Sequence, residues 1–208
     1  MKQYRILLAA IACIWLAGCA TSRSEIRIAS PAAAPDAVDA GGKVVAIRTI
    51  SDERVFEEKP RDPSTPSLGF GGAGAATAEI KARAIGRKRN GYGKALGDVL
   101  LEPGQTVDGL VRDNLSAALT EAGYRVVAVD TAGAKPIDVR IKRFWSWFQP
   151  GFWAIKLHAV ISTELVMEGA PTITVDVKAE DSRQMAVEKA WMEIVDQALE
   201  MYRASAVE

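Results

Sequence analysis

Few side chains in this 208-residue chain are of the kinds that carry chemistry. There are two cysteines, Cys13 and Cys19, and one histidine, His158. Cys13 lies inside an apolar run over residues 6–16 that follows Lys2 and Arg5, and Cys19 comes just after it in Leu16-Ala17-Gly18-Cys19. A membrane-spanning helix needs about 20 apolar residues. This shorter run, charged at its start and ending in small residues, reads instead as a secretory signal. Cys13 leaves with it. His158 falls on the polar face of an alternating segment, opposite Lys142, where it reads as a solvated strand residue. Glu164 and Glu168 share that face, and no nucleophile stands at a spacing that pairs with the histidine. No catalytic residue, metal ligand or cofactor is expected, and the chain reads as not an enzyme.

Three stretches remain as candidates for binding. Gly69-Phe70-Gly71-Gly72-Ala73-Gly74 has the G-x-G-x-x-G spacing, but that fingerprint needs a strand running directly into a helix and an acidic side chain about 20 residues on. The preceding strand ends near Ser51 and no carboxylate lies around position 94, so the stretch reads as a flexible glycine loop. The second is basic: Lys81, Arg83, Arg87, Lys88, Arg89 and Lys94, interleaved with Tyr92 and glycines whose amides can approach an anion. Arg87, Lys88, Arg89 and Tyr92 are candidates for phosphate or carboxylate groups of an envelope polymer; a solvated hairpin tip is the plainer reading. The third is aromatic, with Phe144, Trp145, Trp147, Phe148, Phe152 and Trp153 inside ten residues. Odd positions there belong to a core face. Phe144, Phe148 and Phe152 have the opposite phase, so either the Gly- and Pro-rich segment 56–78 covers them or they are exposed. Phe148 and Phe152 are the candidates for a partner-binding edge.

Leu16-Ala17-Gly18-Cys19 at the end of such a signal resembles the lipobox of bacterial lipoproteins, which implies cleavage before Cys19 and lipid on its sulfur. No thiol is then left for a disulfide, a metal or a nucleophile. Ala20 follows where similar proteins kept in the inner membrane often have Asp, so the resemblance favours the outer membrane, facing the periplasm. Cutting at 18 removes two of 26 basic residues and none of 26 acidic ones, leaving a formal charge near −2. No field for nucleic acid results.

The elements that must position these groups follow from periodicity. Residues 1–18 are signal, 19–42 the lipidated cysteine and a flexible Ala-, Pro- and Gly-rich tether, and 43–208 one α+β domain. Ile26 and Ile28 offer a short edge strand as an alternative within the tether. A strand is expected over 43–51, a weak one from Ile80 to Gly86 with a return at 99–101, a helix over 103–122 stopped by Gly123, and a strand over 124–129. Odd-numbered apolar residues over 137–167 give a hairpin turning at 148–152, with a loop of three or five residues, or a bulge, to keep both apolar sets on one face. A third strand runs over 172–180. Val187, Trp191, Ile194, Val195 and Tyr202 stripe a last helix, capped by Asp181 or Ser182, in which Trp191 fills the core. The solution is a two-layer sandwich of a mainly antiparallel sheet with two amphipathic helices on one face.

Ile85-Gly86-Arg87-Lys88-Arg89-Asn90-Gly91-Tyr92-Gly93, the Ala-Gly-Tyr-Arg-Val-Val ending at 127, the strand Ile-Asp-Val-Arg-Ile-Lys ending at 142 and the lipobox together resemble the YajG-type bacterial lipoproteins. The resemblance implies a membrane-anchored envelope lipoprotein and supplies no catalytic set. The expected role is a non-enzymatic binding or assembly module whose partner is an envelope polymer or protein. The alternative is an auxiliary lipoprotein of a lipid or ABC-type transport system, which would need an apolar groove.

Overall fold

The computed structural model describes residues 22–31, 43–90, 92–151, 153–184 and 187–207. The expected signal, Cys19, residues 32–42 of the expected tether, and Phe152 lie outside them. In chain order the elements are β1 (Ser24–Ile26), β2 (Val44–Asp52), α1 (Ala78–Arg83), β3 (Ala84–Arg89), β4 (Ala95–Leu101), α2 (Val107–Glu121), β5 (Arg125–Val126), β6 (Lys135–Pro150), β7 (Ile155–Met167), β8 (Ile173–Arg183) and α3 (Glu188–Ser205).

β6 is the axis of an eight-stranded mixed, mostly antiparallel open sheet. On one edge it pairs with β7, which pairs with β8, both antiparallel. Its other edge is shared: β2 lies parallel to residues 135–141, and β3 joins parallel further on, where Gly86 faces Ser146. β4 lies antiparallel to β3, β1 parallel to β4, and β5 parallel to β2. Helices α2 and α3 bury their stripes against one face, with Leu115, Val111, Trp191 and Tyr202 in a single core with Ile141, Leu157 and Val177. The α+β class expected from periodicity is the one observed.

The phase of β6 changes partway along. Ile141 pairs with Thr163 but Arg143 with Ser162, so Lys142 is an extra residue, a bulge that turns the rest of the strand over. Ile137, Val139 and Ile141 face the helices before it; Phe144 and Phe148 do so after it. Trp145 and Trp147, expected under the helices, face the opposite side. There they pack with Leu68, Ala84, Leu100 and Val160, and Phe56 and Ile80 close over them. The segment 53–83 therefore roofs the second face, and the three-residue-loop register is replaced: Phe148 pairs with Leu157, and residues 151–154 make the connection. Of the options open in the sequence, the bulge is the one used. Trp153, expected in the core, is 85% exposed.

Arg54 explains how one strand edge serves two neighbours. Where β2 leaves β6 and β3 enters, backbone carbonyls lose their strand partners, and a buried carbonyl without a donor is costly. The Arg54 guanidinium, fully buried, fills that gap: it donates to Ala84 O (2.5 Å), Phe144 O (3.1 Å) and Lys81 O (2.7 Å), while Asp52 holds it from the other side. Gly86 is required nearby, because a Cβ there would lie 2.7 Å from Ser146 Oγ and 2.8 Å from its carbonyl oxygen.

Local signals account for most ends. Thr106 caps α2 through Gly109 N, and Gly123, at φ 84°, closes it with Tyr124 N bonded to Leu119 O. The helix starts at Val107, not Pro103. Residues 80–83, expected as the start of a strand, belong instead to the helical turn Ala78–Arg83 capped by Thr77. β8 runs on through Asp181 and Ser182, so neither caps α3, which has Val187 at its N-cap. Within the expected tether, the edge-strand alternative is what forms: β1 pairs with β4, and Ile26 and Ile28 are buried.

Candidate functional site: a basic cleft under the glycine loop

β3 carries the basic stretch beneath the roof segment. Arg87 Nη1 donates to Leu68 O (2.7 Å); Arg89 reaches Gly93 O (3.0 Å) and Pro60 O (3.5 Å). With the glycine loop 69–72 these two arginines line a hollow of 490 Å³, and Glu58, Lys59 and Phe70 complete its wall. The loop is held in shape. Phe70, Gly71 and Gly72 all have left-handed φ (54°, 101° and 86°), which suits glycine at the last two. Gly69 N donates to Asp98 Oδ1 (2.7 Å), and Gly74 N to Glu58 Oε1 (2.8 Å).

The electrostatics favour an anion. Nε of Arg87 and Nε of Arg89 are buried without a hydrogen-bond partner. Burial, and then the like charge of Arg87, hold the Arg89 guanidinium below its ordinary pKa; an arginine nevertheless stays charged at physiological pH. Two partly desolvated guanidinium groups on the same wall suit a carboxylate or phosphate. Asp98, wholly buried, balances the inner end, 3.9 Å from Arg87 Nε and 3.2 Å from Arg23 Nε.

Of the five binding candidates among the described residues, the structure brings Arg87 and Arg89 together and separates Lys88, Tyr92 and Phe148 from them. Lys88 reaches Ser24 Oγ on β1 (3.0 Å). Tyr92 is 98% exposed on the β3–β4 turn, outside the cleft. Phe148 is buried, edge-on to Trp191 at 6.4 Å, so it belongs to the helix-side core and is no binding edge; the Lys142 bulge gave it the core phase. Phe152 lies outside the described residues, as does Cys19. Sequence reasoning missed Asp98 and Glu58 and took the glycine loop for a passive one. A lone aspartate inside the apolar run Ala-Leu-Gly-Asp-Val-Leu-Leu was the available signal, since a charge in a buried strand demands a partner.

His158 is corrected too. The bulge places it opposite Trp147, not Lys142, and it is buried, stacked on that indole at 5.0 Å. Its Nε2 is 3.0 Å from Gln149 Oε1 and its Nδ1 3.2 Å from Glu180 Oε2. Burial lowers its pKa, against the pull of the Glu180 carboxylate.

A second hollow, of 590 Å³, opens at the opposite end of the sheet, where Lys43, Val45, Tyr124, Pro136 and Met167 line it. Among the described residues no helix is long and apolar enough to cross a membrane.

No family model and no curated protein matches this chain. Among solved structures it is similar to protein XCC0632 from Xanthomonas campestris, of family model DUF330, with 12% identity, a TM-score of 0.42, and coverage of 89% of this chain and 91% of that one. It is also similar to a minor lipoprotein from Acinetobacter baumannii, with 12% identity, a TM-score of 0.34, and coverage of 45% and 80%.

Proposed function

We propose that this chain is an envelope lipoprotein, anchored by lipid on Cys19 to the periplasmic face of the outer membrane, and that it is a non-enzymatic binding module whose site is the Arg87–Arg89 cleft. The observation that carries the binding role is the pair of half-buried arginines, Arg87 and Arg89, lining one hollow beside an ordered glycine loop. Two guanidinium groups on one concave wall are suited to carboxylate and phosphate oxygens. The ligand class is an anionic envelope polymer carrying phosphate or carboxylate groups. Titration of the protein with muropeptides and with a bis-phosphorylated glucosamine disaccharide tests the role, with Arg89→Ala as the comparison. Saturable, salt-sensitive binding of one probe, lost in Arg89→Ala, is expected. Absence of binding by the unaltered protein, or equal binding by the variant, refutes it.

A second reading, an auxiliary lipoprotein of a lipid or ABC-type transport system, draws on the 590 Å³ hollow, whose walls include Val45, Tyr124, Pro136 and Met167. It requires lipid in the purified protein. Mass spectrometry of an organic extract, repeated on Met167→Glu, discriminates the two readings.

A further inference from the structure

Strand directions fix where the chain enters the fold. β3 and β6 run parallel, so the β3–β4 turn and the β6–β7 turn emerge at the same end of the sheet. β4 starts at that end, and β1 lies parallel to β4, with Ser24 opposite Val99. The residues before β1 therefore lead toward the two turns. Arg23 is already beside Asp98. From Arg23 to Cys19 is four residues, at most about 14 Å of extended chain.

The same end carries the exposed rings. Among the described residues three aromatic side chains are more than half exposed: Phe70 (58%), Tyr92 (98%) and Trp153 (85%). Tyr92 and Trp153 occupy the two turns. Phe70 sits beside the start of β4 under Arg23, whose guanidinium lies 4.4 Å from the ring centre. Lys94, exposed, follows Tyr92. Tyrosine and tryptophan favour the headgroup level of a bilayer, where an apolar body and a polar tip are both accommodated. Exposed rings gathered on three separate loops at the point of chain entry are hard to explain by a core.

We infer that this end, with Tyr92, Trp153 and Phe70 at its tip, is the surface that rests on the lipid bilayer, so that the domain sits with its sheet strands upright and its turns in the headgroup layer. The inference rests on lipidation at Cys19, which brings the bilayer within five residues of the start of β1. Tyrosine, tryptophan and phenylalanine then act as a second, weak attachment that limits tilting of the domain. The hollow lined by Tyr124 and Met167 points away from the membrane.

The test uses the lipidated protein in phosphatidylethanolamine–phosphatidylglycerol vesicles, with Tyr92→Cys, Trp153→Cys or Ala170→Cys labelled with a polarity-sensitive fluorophore. Ala170 lies on the β7–β8 turn, at the other end of the sheet. Nitroxide lipids labelled near the headgroup should remove most of the emission at 92 and 153 and leave 170 unaffected. Protein that floats with the vesicles but is quenched equally at all three positions, or only at 170, overturns the orientation and leaves the anchor standing. Protein that fails to float, with Cys19 found unacylated by mass spectrometry, overturns both.

Discussion

Asp98 and Asp138 are both held by arginines on strands, and their surroundings predict different measurements. Asp98 is wholly buried between Arg23, Arg87 and Gly69 N. Removing one member of a buried ion pair leaves the other charge uncompensated. Asp98→Ala should cost about 3–5 kcal/mol in urea unfolding, as such losses do. Asp138 is partly exposed; hydrogen bonds from Arg48 and Thr49 lower its pKa to about 2. Its folded-state pKa is depressed, so its contribution is present above the ordinary aspartate pKa and is lost as pH falls toward 2. The stability gap between the unaltered protein and Asp138→Asn should accordingly close in acid. His158 shares the preference for the deprotonated form, which for imidazole is the neutral one, and so gives a slope of the same sign. Burial favours the neutral ring, Glu180 opposes this, and Lys178 and Lys156 reinforce it. The unfolded chain takes up the proton first, so stability is complete above about pH 6.5 and declines as pH falls through it. Thermal midpoints of His158→Gln should lack that decline between pH 7.5 and 5.

At the scale of elements, β6 decides the arrangement. Deleting Lys142 would remove the unpaired residue and join Ile141 to Arg143 in a regular ladder, in which Phe144 and Phe148 keep the helix face and Trp145 and Trp147 the roof face. Cooperative unfolding by circular dichroism should survive the deletion, and its loss would show that the bulge itself is needed. Arg54→Lys should be nearly as damaging as Arg54→Ala, each losing about 3 kcal/mol or more, because one ammonium cannot reach three carbonyls and a carboxylate as the planar guanidinium does. A lysine variant of ordinary stability would contradict the plugging role. These features show why the sequence was only half legible. The helix stripes, Gly123 and the alternation of β7 and β8 are local patterns, and they are in place in the structure. The bulge is a single residue whose consequence lies in which face Trp145 and Phe148 take, and nothing within four residues of Lys142 announces it. Arg87 and Arg89 were visible as a basic stretch. Their union with Gly69 and Glu58 depends on a roof segment without periodicity, so the cleft was beyond reach.

On the scale of the whole molecule, one sheet is the wall of two cores. Trp191 reports the helix side, Trp145 and Trp147 the roof side. Since β6, β7, β3 and β4 contribute to both, the roof should not melt by itself: tryptophan fluorescence and far-ultraviolet circular dichroism should give coincident urea transitions. A fluorescence change that precedes loss of helix would show the roof to be a separate unit. Phe148→Ser belongs to this scale as well. It removes a ring from the helix-side core and should cost about 3–5 kcal/mol, the range for truncating a buried aromatic.

Mechanics follows from the direction of β1. A pull on the residues before Ser24 acts along the strand, parallel to its partner β4, and so loads its links in shear rather than peeling them singly. The links are numerous for so short a strand. Glu102 N bonds Ile26 O (2.9 Å), Gln105 bonds both backbone groups of Ile28 (3.1 and 2.7 Å), Ser30 bonds Asp113 (2.8 Å), and Arg23, Arg83 and Arg27 tie Asp98, Glu25 and Glu102. Ile26 and Ile28 are sunk in the core behind them. A domain held from its N-terminus in this way resists tension as a rivet does, and the force that frees β1 should exceed the force that unzips the β6–β7 turn.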